Sequence, residues 1–296
     1  MSELTTFFGG TIRSIRSTRP IRSIRSTRLI RSIRSTRPIR SIRWGWSALA
    51  GLALFSALSM TWPADVGASV GSPGEHTAIS VGEELVFSIK WGIVNAGTAT
   101  MSITERKPVS GNDCYHVVAT AISNPVFDKI YPVRDRFESF MDSASLQSWA
   151  FKKHLREGKF RRDQVVRSDH EAKTAYYHDG KSYDIVPGAF DILSAFYYIR
   201  TTELILGEVV ELETHSDRKN YPIRVNVLKK ERVEVPAGTF DCIVVEPELQ
   251  GDFFQSDGSL KIWLTDDDRR MPVQMKSKIP VGSIAVVLKS FERSQP

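Results

Sequence analysis

Residues 85–103 read LVFSIKWGIVNAGTATMSI. Leu85, Phe87, Ile89 and Trp91 fall on one side of an extended segment, opposite Glu84, Ser88 and Lys90. Ala99, Met101 and Ile103 then alternate with Thr98, Thr100, Ser102 and Thr104. Period two is the spacing of a strand with one buried face. With Asn95-Ala96-Gly97 as the turn, the stretch predicts a β-hairpin.

The same alternation continues outward from this hairpin. It runs through Cys114–Ser123, Tyr131–Met141 and Leu146–Leu155, and the last of these turns at Glu157-Gly158-Lys159 into Phe160–Ser168. Asp179-Gly180 stands between Tyr176-Tyr177 and Tyr183, the strongest short hairpin signal in the chain. Further strands are expected around Val210/Leu212, Ile223/Val225/Val227, Val233/Val235, Cys242–Val245, Leu260/Ile262/Leu264, Val273/Met275 and Ile284–Leu288. The fold class is therefore mainly β: a strongly curved antiparallel sheet, sandwich or open barrel of about a dozen strands. One segment breaks the period. From Asp191 to Thr201, Ile192, Leu193, Phe196, Tyr197 and Ile199 take helical spacings, Asp191 stands where a cap is needed, and Pro187-Gly188 precedes it. This single amphipathic helix should cover one face of the sheet or plug one end.

The N-terminal part has a different character. Eleven arginines recur at every third position from Arg13 to Arg43, and an uncharged run from Trp44 to Ala64 follows, ending in a small-residue site at Val66-Gly67-Ala68. Basic, apolar and small-residue segments in that order form an export signal. Four regions result: 1–43, a low-complexity arginine repeat serving as the basic region; 44–68, the apolar signal segment; 69–79, a linker; and 80–293, a single β-rich domain. Cleavage is expected after Ala68, releasing the domain to the periplasm or cell envelope. The apolar run of about 21 residues is also long enough to stay as an uncleaved anchor. No two of these arginines are adjacent, which favours general secretion over a twin-arginine route. The near-perfect repeat also reads as tandem DNA translated from too early a start, with the natural start nearer Arg40.

Charge follows the same division. Arg13–Arg43 hold 11 of the 40 basic residues, and Glu3 and Asp65 are two of the 34 acids, leaving 29 against 32 and a charge of about −3 after Ala68. A basic patch removed with a signal cannot be a working surface, so nucleic acid is not an expected partner. No later apolar stretch approaches the roughly 20 residues that span a bilayer, so the mature domain is not expected to be transmembrane.

No catalytic, cofactor-binding or metal-ligating residue is assigned from the sequence, and no cofactor is expected. Gly67-Ala68-Ser69-Val70-Gly71 matches G-x-S-x-G, but it lies in a linker without the strand and helix that a nucleophile elbow needs. The histidines at 76, 116, 154, 170, 178 and 215 form no metal-ligand spacing. Asp266-Asp267-Asp268 lacks the later glutamate of an EF-hand and reads as a solvated hairpin tip. Cys114 and Cys242 are the two cysteines. Paired, they would contribute about 4–5 kcal/mol on the chain-entropy estimate; unpaired, they are buried strand residues, and both states stay open.

Several phrases together resemble the bacterial exported-protein family known as domain of unknown function 3108. They are Val81-Gly82-Glu83-Glu84-Leu85 with Ile89-Lys90-Trp91-Gly92 and Ala96-Gly97; Tyr131-Pro132-Val133-Arg134-Asp135 with Phe137-Glu138-Ser139; Asp191 through Arg200; Val235-Pro236-Ala237-Gly238-Thr239-Phe240-Asp241-Cys242; and Ile262 through Asp267. The resemblance implies an envelope-facing β-rich domain and brings no activity or site residues. Three functions fit: a non-catalytic binding or carrier module for a lipid or envelope polymer, a protein-interaction module of envelope assembly, and an envelope glycan or ester hydrolase.

Overall fold

The computed structural model describes residues 76–248, 260–278 and 282–293. The arginine repeat, the apolar segment, the cleavage site and the G-x-S-x-G match lie outside the described residues. From the N-terminal side come β1 (Glu84–Trp91), β2 (Val94–Val109), β3 (Asn112–Ser123), β4 (Arg134–Asp142) and β5 (Ser148–Glu157). They are followed by β6 (Phe160–Asp169), β7 (Thr174–Tyr177) and β8 (Ser182–Asp184). The second half holds β9 (Val209–Ser216), β10 (Lys219–Val235), β11 (Gly238–Pro247), β12 (Leu260–Thr265), β13 (Pro272–Lys278) and β14 (Ser283–Glu292). Helix α1 (Pro125–Asp128) sits between β3 and β4, and α2 (Ile192–Thr201) stands between the halves.

All fourteen strands form one antiparallel sheet in the order β8-β7-β6-β5-β4-β3-β2-β1-β14-β13-β12-β11-β10-β9. Each half is a meander, because each strand after its first pairs with its predecessor. The first meander runs outward from β1, the second runs back to it, and β1 pairs with β14 at the middle of the sheet. Leu85, Phe87 and Ile89 are buried on one face, with Ala99 and Met101 opposite Phe87 and Leu85 on β2. Tyr115, Val117, Phe137, Met141, Phe151 and Leu155 extend the same inner face across β3, β4 and β5.

The two ends of the sheet meet without pairing strand to strand. Phe190, just ahead of α2, bridges Thr214 of β9 in parallel, accepting from the His215 N–H at 2.9 Å and donating to Glu213 O at 2.9 Å. Helix α2 packs against β4 of one meander and β9 of the other. The sheet therefore rolls around the helix into an open barrel. Its inner residues and those of α2 form one continuous apolar core, with Phe87 and Tyr197 wholly buried. Burial of each such side chain contributes about 1.5–3 kcal/mol.

Four expectations change. The first hairpin turns at Gly92-Ile93, with Trp91 opposite Val94, rather than at Asn95–Gly97. Asn95–Gly97 belongs to β2, where a Cβ on Gly97 would lie 2.2 Å from the Ile122 carbonyl oxygen, so glycine is required by the close approach of β3 rather than by a turn. Trp91, expected on the buried side, is 41% exposed beyond the bulge at Ile89/Lys90. Ile223–Val227 and Val233/Val235 are one strand, β10, whose bulge near Leu228 carries the exposed Lys229-Lys230 stretch past the register shift. Finally, α1 is a second, four-residue helix. Asn124 caps it by accepting from the Val126 and Phe127 N–H groups at 3.0 Å, with proline in its first turn.

Candidate functional site: a buried polar clasp

Helix α2 is pinned inside the barrel at both ends. At its start the Asp191 carboxylate accepts from the Leu193 and Ser194 N–H groups at 2.8 and 3.0 Å, and Ser194 Oγ accepts from the Asp191 N–H. This is the reciprocal capping box. Ser139 Oγ on β4 donates to the other Asp191 oxygen at 2.5 Å. Burial pushes this carboxyl above its ordinary range, against the lowering effect of those donors. At the other end, the Arg200 guanidinium donates to both oxygens of Glu83 at 2.7 Å and to Ala78 O at 2.8 Å, and it lies over the Tyr197 ring. Burial opposes the Arg200 charge, but the Glu83 carboxylate outweighs it and holds the group above its usual value. The fold thus joins residues from three separate phrases of the sequence: Glu83 to Arg200, and Ser139 to Asp191.

The seam beyond Phe190 is closed by the turn between β9 and β10. Asp217 and Arg218 both take left-handed φ, 48° and 73°, which makes a two-residue type I′ pattern without glycine. Asp217 Oδ1 accepts from Lys153 Nζ on β5 at 2.8 Å and from Arg162 Nη2 on β6 at 2.7 Å. The Arg218 N–H donates to the Tyr177 hydroxyl oxygen at 2.7 Å. That hydroxyl is 2.9 Å from His215 Nε2, and His215 Nδ1 is 2.9 Å from Asn220 Oδ1. One proton arrangement satisfies the whole chain: the hydroxyl donates to Nε2, and Nδ1–H donates to the asparagine oxygen. Burial pushes His215 down, consistent with a neutral ring. Asn220 Nδ2 donates to Asp184 O at 3.0 Å, and Arg218 reaches Asp179 at 2.6 Å, so the turn is tied to the β7–β8 hairpin as well.

Burial lowers Lys153 to about 8, with Asp217 opposing the shift. An amine depressed in this way, beside a histidine and a tyrosine, is the kind of group used for nucleophilic chemistry. The space beside its partner Asp217 argues against that use. The pocket lined by Ser148, Phe151, Gln164, Phe190, His215 and Asp217 has a volume of about 10 Å³, the room of roughly one water. Gln164 Oε1 and Asp217 Oδ2 are buried acceptors without a protein partner. A site of this size does not admit a substrate.

The remaining chemistry-bearing residues are dispersed. His116 Nε2 lies 2.8 Å from Glu138 on the outer face, stacked on Phe140. His154 pairs with Asp163, and His170 with Ser148 O. At the acidic tip, Asp267 accepts from Thr265 and Arg269, and Asp266 pairs with Lys230 and Arg270, so the tip is neutralised by its neighbours. Cys114 and Cys242 are free and buried, and burial pushes both thiols to about 12. Among the described residues no group of three or more His, Cys, Asp and Glu side chains is placed to hold a metal ion. Asp135 and Glu157 form a buried acid pair on the inner face, which the sequence offered no means to choose. Burial raises Asp135, while the Arg156 N–H at 2.8 Å and Glu157 pull it back.

Sequence reasoning missed Lys153, Asp217, Glu83 and Arg200. Parity marks the first: Phe151, Lys153 and Leu155 alternate on one face of β5, so the lysine had to point inward with its apolar neighbours.

The sequence model of DUF3108, described as a protein of unknown function, matches residues 86–289. No curated protein matches. Among solved structures, a beta-barrel-like protein of domain of unknown function DUF1849 from Brucella abortus is 10% identical, with a TM-score of 0.46 over 72% of this chain and 98% of that one. A protein from Parabacteroides distasonis described as a candidate lipoprotein is 11% identical, with a TM-score of 0.31 over 72% and 96%. A protein from Bacteroides fragilis described as a candidate exported protein with a YmcC-like fold is 12% identical, with a TM-score of 0.28 over 72% and 97%. Likeness at this level carries no functional argument.

Proposed function

Because the chain belongs to the DUF3108 family, whose description assigns no activity, we propose from its own residues that it is an exported, non-catalytic binding module of the cell envelope. The basic, apolar and small-residue order of residues 13–68 supports export, with 1–43 and 44–68 as the signal, 69–79 as linker and 80–293 as the working domain. Cleavage after Ala68 would leave that domain in the periplasm. Among the described residues no helix is long and apolar enough to cross a membrane.

The observation that carries the non-catalytic reading is the occupied interior. Helix α2 lies inside the rolled sheet with Tyr197 fully buried, and the pocket beside Asp217 and His215 has about 10 Å³. Ligand sites for small molecules run to roughly 300–1,000 Å³. A pocket of this size holds neither an acyl chain nor a glycan unit, which supports binding on the outside of the barrel over carriage at this point inside it. The hydrolase reading has the Asp135/Glu157 pair in its favour, but both acids are buried. A glycosidase needs its two carboxyls across an open sugar cleft.

Native mass spectrometry of the protein recovered from a periplasmic extract tests the proposal. The expected result is the bare mass of a chain beginning at Ser69. A lipid or glycan that stays bound through detergent exchange, and so is enclosed in the barrel, would overturn the outside-binding form, and a cytoplasmic, unprocessed chain would overturn export.

A further inference from the structure

The end of the barrel formed by the β1–β2 turn and α1 reverses the usual placement of side chains. Ile93 is 98% exposed, Ile130 72% and Val126 67%, with Val94 and Trp91 beside them. They belong to two separate connections held together as one rigid surface. Asn124 Nδ2 donates to Asn95 O at 2.6 Å and the Asn124 N–H to Ala96 O at 2.9 Å. The Trp91 and Phe127 rings meet edge to face at 6.1 Å, and below them Ile89, Ala96, Phe127 and Ile284 form a small core of their own. Gly92, at φ 58°, donates to Ser283 O at 3.0 Å and so fixes the turn that presents Ile93. Large apolar side chains held this far into water on a stiff support imply a surface that is covered in use.

The charge around the tip says what covers it. In these two connections and the strand ends beside them, Lys90, Lys129 and Lys278 are the lysines, and none forms an ion pair among the described residues. Among the described residues there, Asp128 is the one exposed or half-buried acid, and Arg134 closes it through two hydrogen bonds at 2.9 and 2.5 Å. An apolar tip carrying a tryptophan, flanked by uncompensated lysines, matches the layering of a bilayer: hydrocarbon, an interface that favours tryptophan, then anionic headgroups. We propose that this end of the barrel docks on an anionic lipid surface, with Ile93, Val126 and Ile130 entering the interface and Lys90, Lys129 and Lys278 meeting the headgroups. The proposal deepens the reading as a binding module and rests on it only for where in the cell a membrane is met.

The test uses the full chain as exported and processed. Cys114 and Cys242 are buried, so an environment-sensitive dye can be placed selectively on Ile93→Cys, with Glu171→Cys, in the exposed β6–β7 turn at the opposite end of the sheet, as its control. On adding phosphatidylglycerol vesicles, the dye at 93 should shift to the blue and brighten while the dye at 171 stays unchanged. Phosphatidylcholine vesicles should give a much weaker response. Changing Lys90, Lys129 and Lys278 to Gln should weaken the response about fivefold for each lysine. An unmoved dye at 93 overturns the proposal even if the protein sediments with vesicles, since binding would then run through another segment. Equal responses at 93 and 171 overturn it as well, as does cross-linking of 93 to an envelope protein without any vesicle response. Such a failure beside a bare native mass would remove this surface and leave the module reading standing. An acyl chain that survives detergent exchange, and so is enclosed in the barrel, would remove that reading whatever the vesicles show.

Discussion

Two hairpin turns, one at the edge of the sheet and one at its middle, carry opposite cargo. The β9–β10 turn places charged and polar groups inside: Asp217 against Lys153 and Arg162, with Tyr177 and His215 closing the chain of hydrogen bonds. The β1–β2 turn places Ile93 outside, almost wholly in water. Backbone chemistry follows the same contrast. The inner turn holds two non-glycine residues at positive φ, a conformation that costs energy and is kept only where side chains over-determine it. The outer turn uses Gly92 and needs no such support. The charges inside are met by groups of the chain itself, whereas Ile93, Val126 and Ile130 stay exposed among the described residues. The difference separates the part of the molecule that closes the fold from the part left for something else.

The largest effects should come from breaking the inside. Arg200→Met leaves the buried Glu83 carboxylate without its guanidinium, and Asp217→Asn leaves Lys153 and Arg162 sharing a neutral partner. Each should lower unfolding free energy by about 3–5 kcal/mol, the cost of stranding one member of a buried pair, as read from urea midpoints. If Asp217→Asn costs under about 1 kcal/mol, the clasp does not hold the seam.

A middle-sized effect is set by pH. Folded Lys153 gives up its proton near 8, whereas the unfolded side chain keeps it to about 10.5. Between those values the unfolded state binds more protons, so raising the pH favours the folded state through this group. The wild-type protein should therefore gain about 2 kcal/mol between pH 8 and 10 relative to Lys153→Met, from parallel denaturant titrations. Parallel curves for the two proteins would show that the lysine is solvated in the folded state.

The smallest effect on stability should come from the outside. Ile93→Ser with Val126→Ser removes side chains that are mostly in water, and the urea midpoint should move by no more than about 0.5 kcal/mol. A loss of several kcal/mol would mean that these residues belong to the core and are not a surface kept for a partner.

How much of this was legible in the sequence depends on the range of each interaction. The strands of both meanders and helix α2 were readable because alternation, the Asp179-Gly180 turn and the Asp191 cap act over a few residues. The pairing of β1 with β14 was not, since nothing local in Leu85–Trp91 names Ile284–Leu288 as its neighbour. Trp91 was misplaced because one bulge between Ile89 and Lys90 resets the face after it. The clasp was half legible: parity turned Lys153 inward, but Asp217 sits in a turn lacking glycine, 64 residues away, and only the rolled sheet brings the two together. Arg200 lay on the apolar stripe of α2, three residues after Tyr197, and its burial could have been read from that spacing; its partner Glu83 could not.

Hydrogen exchange on the exported protein, with and without phosphatidylglycerol vesicles, tests the contrast between the two turns most directly. The expected result is new protection in residues 91–96 and 122–133 with no change in residues 209–221. Protection appearing at 209–221 while the tip exchanges as before would contradict it, and would place the working surface at the seam.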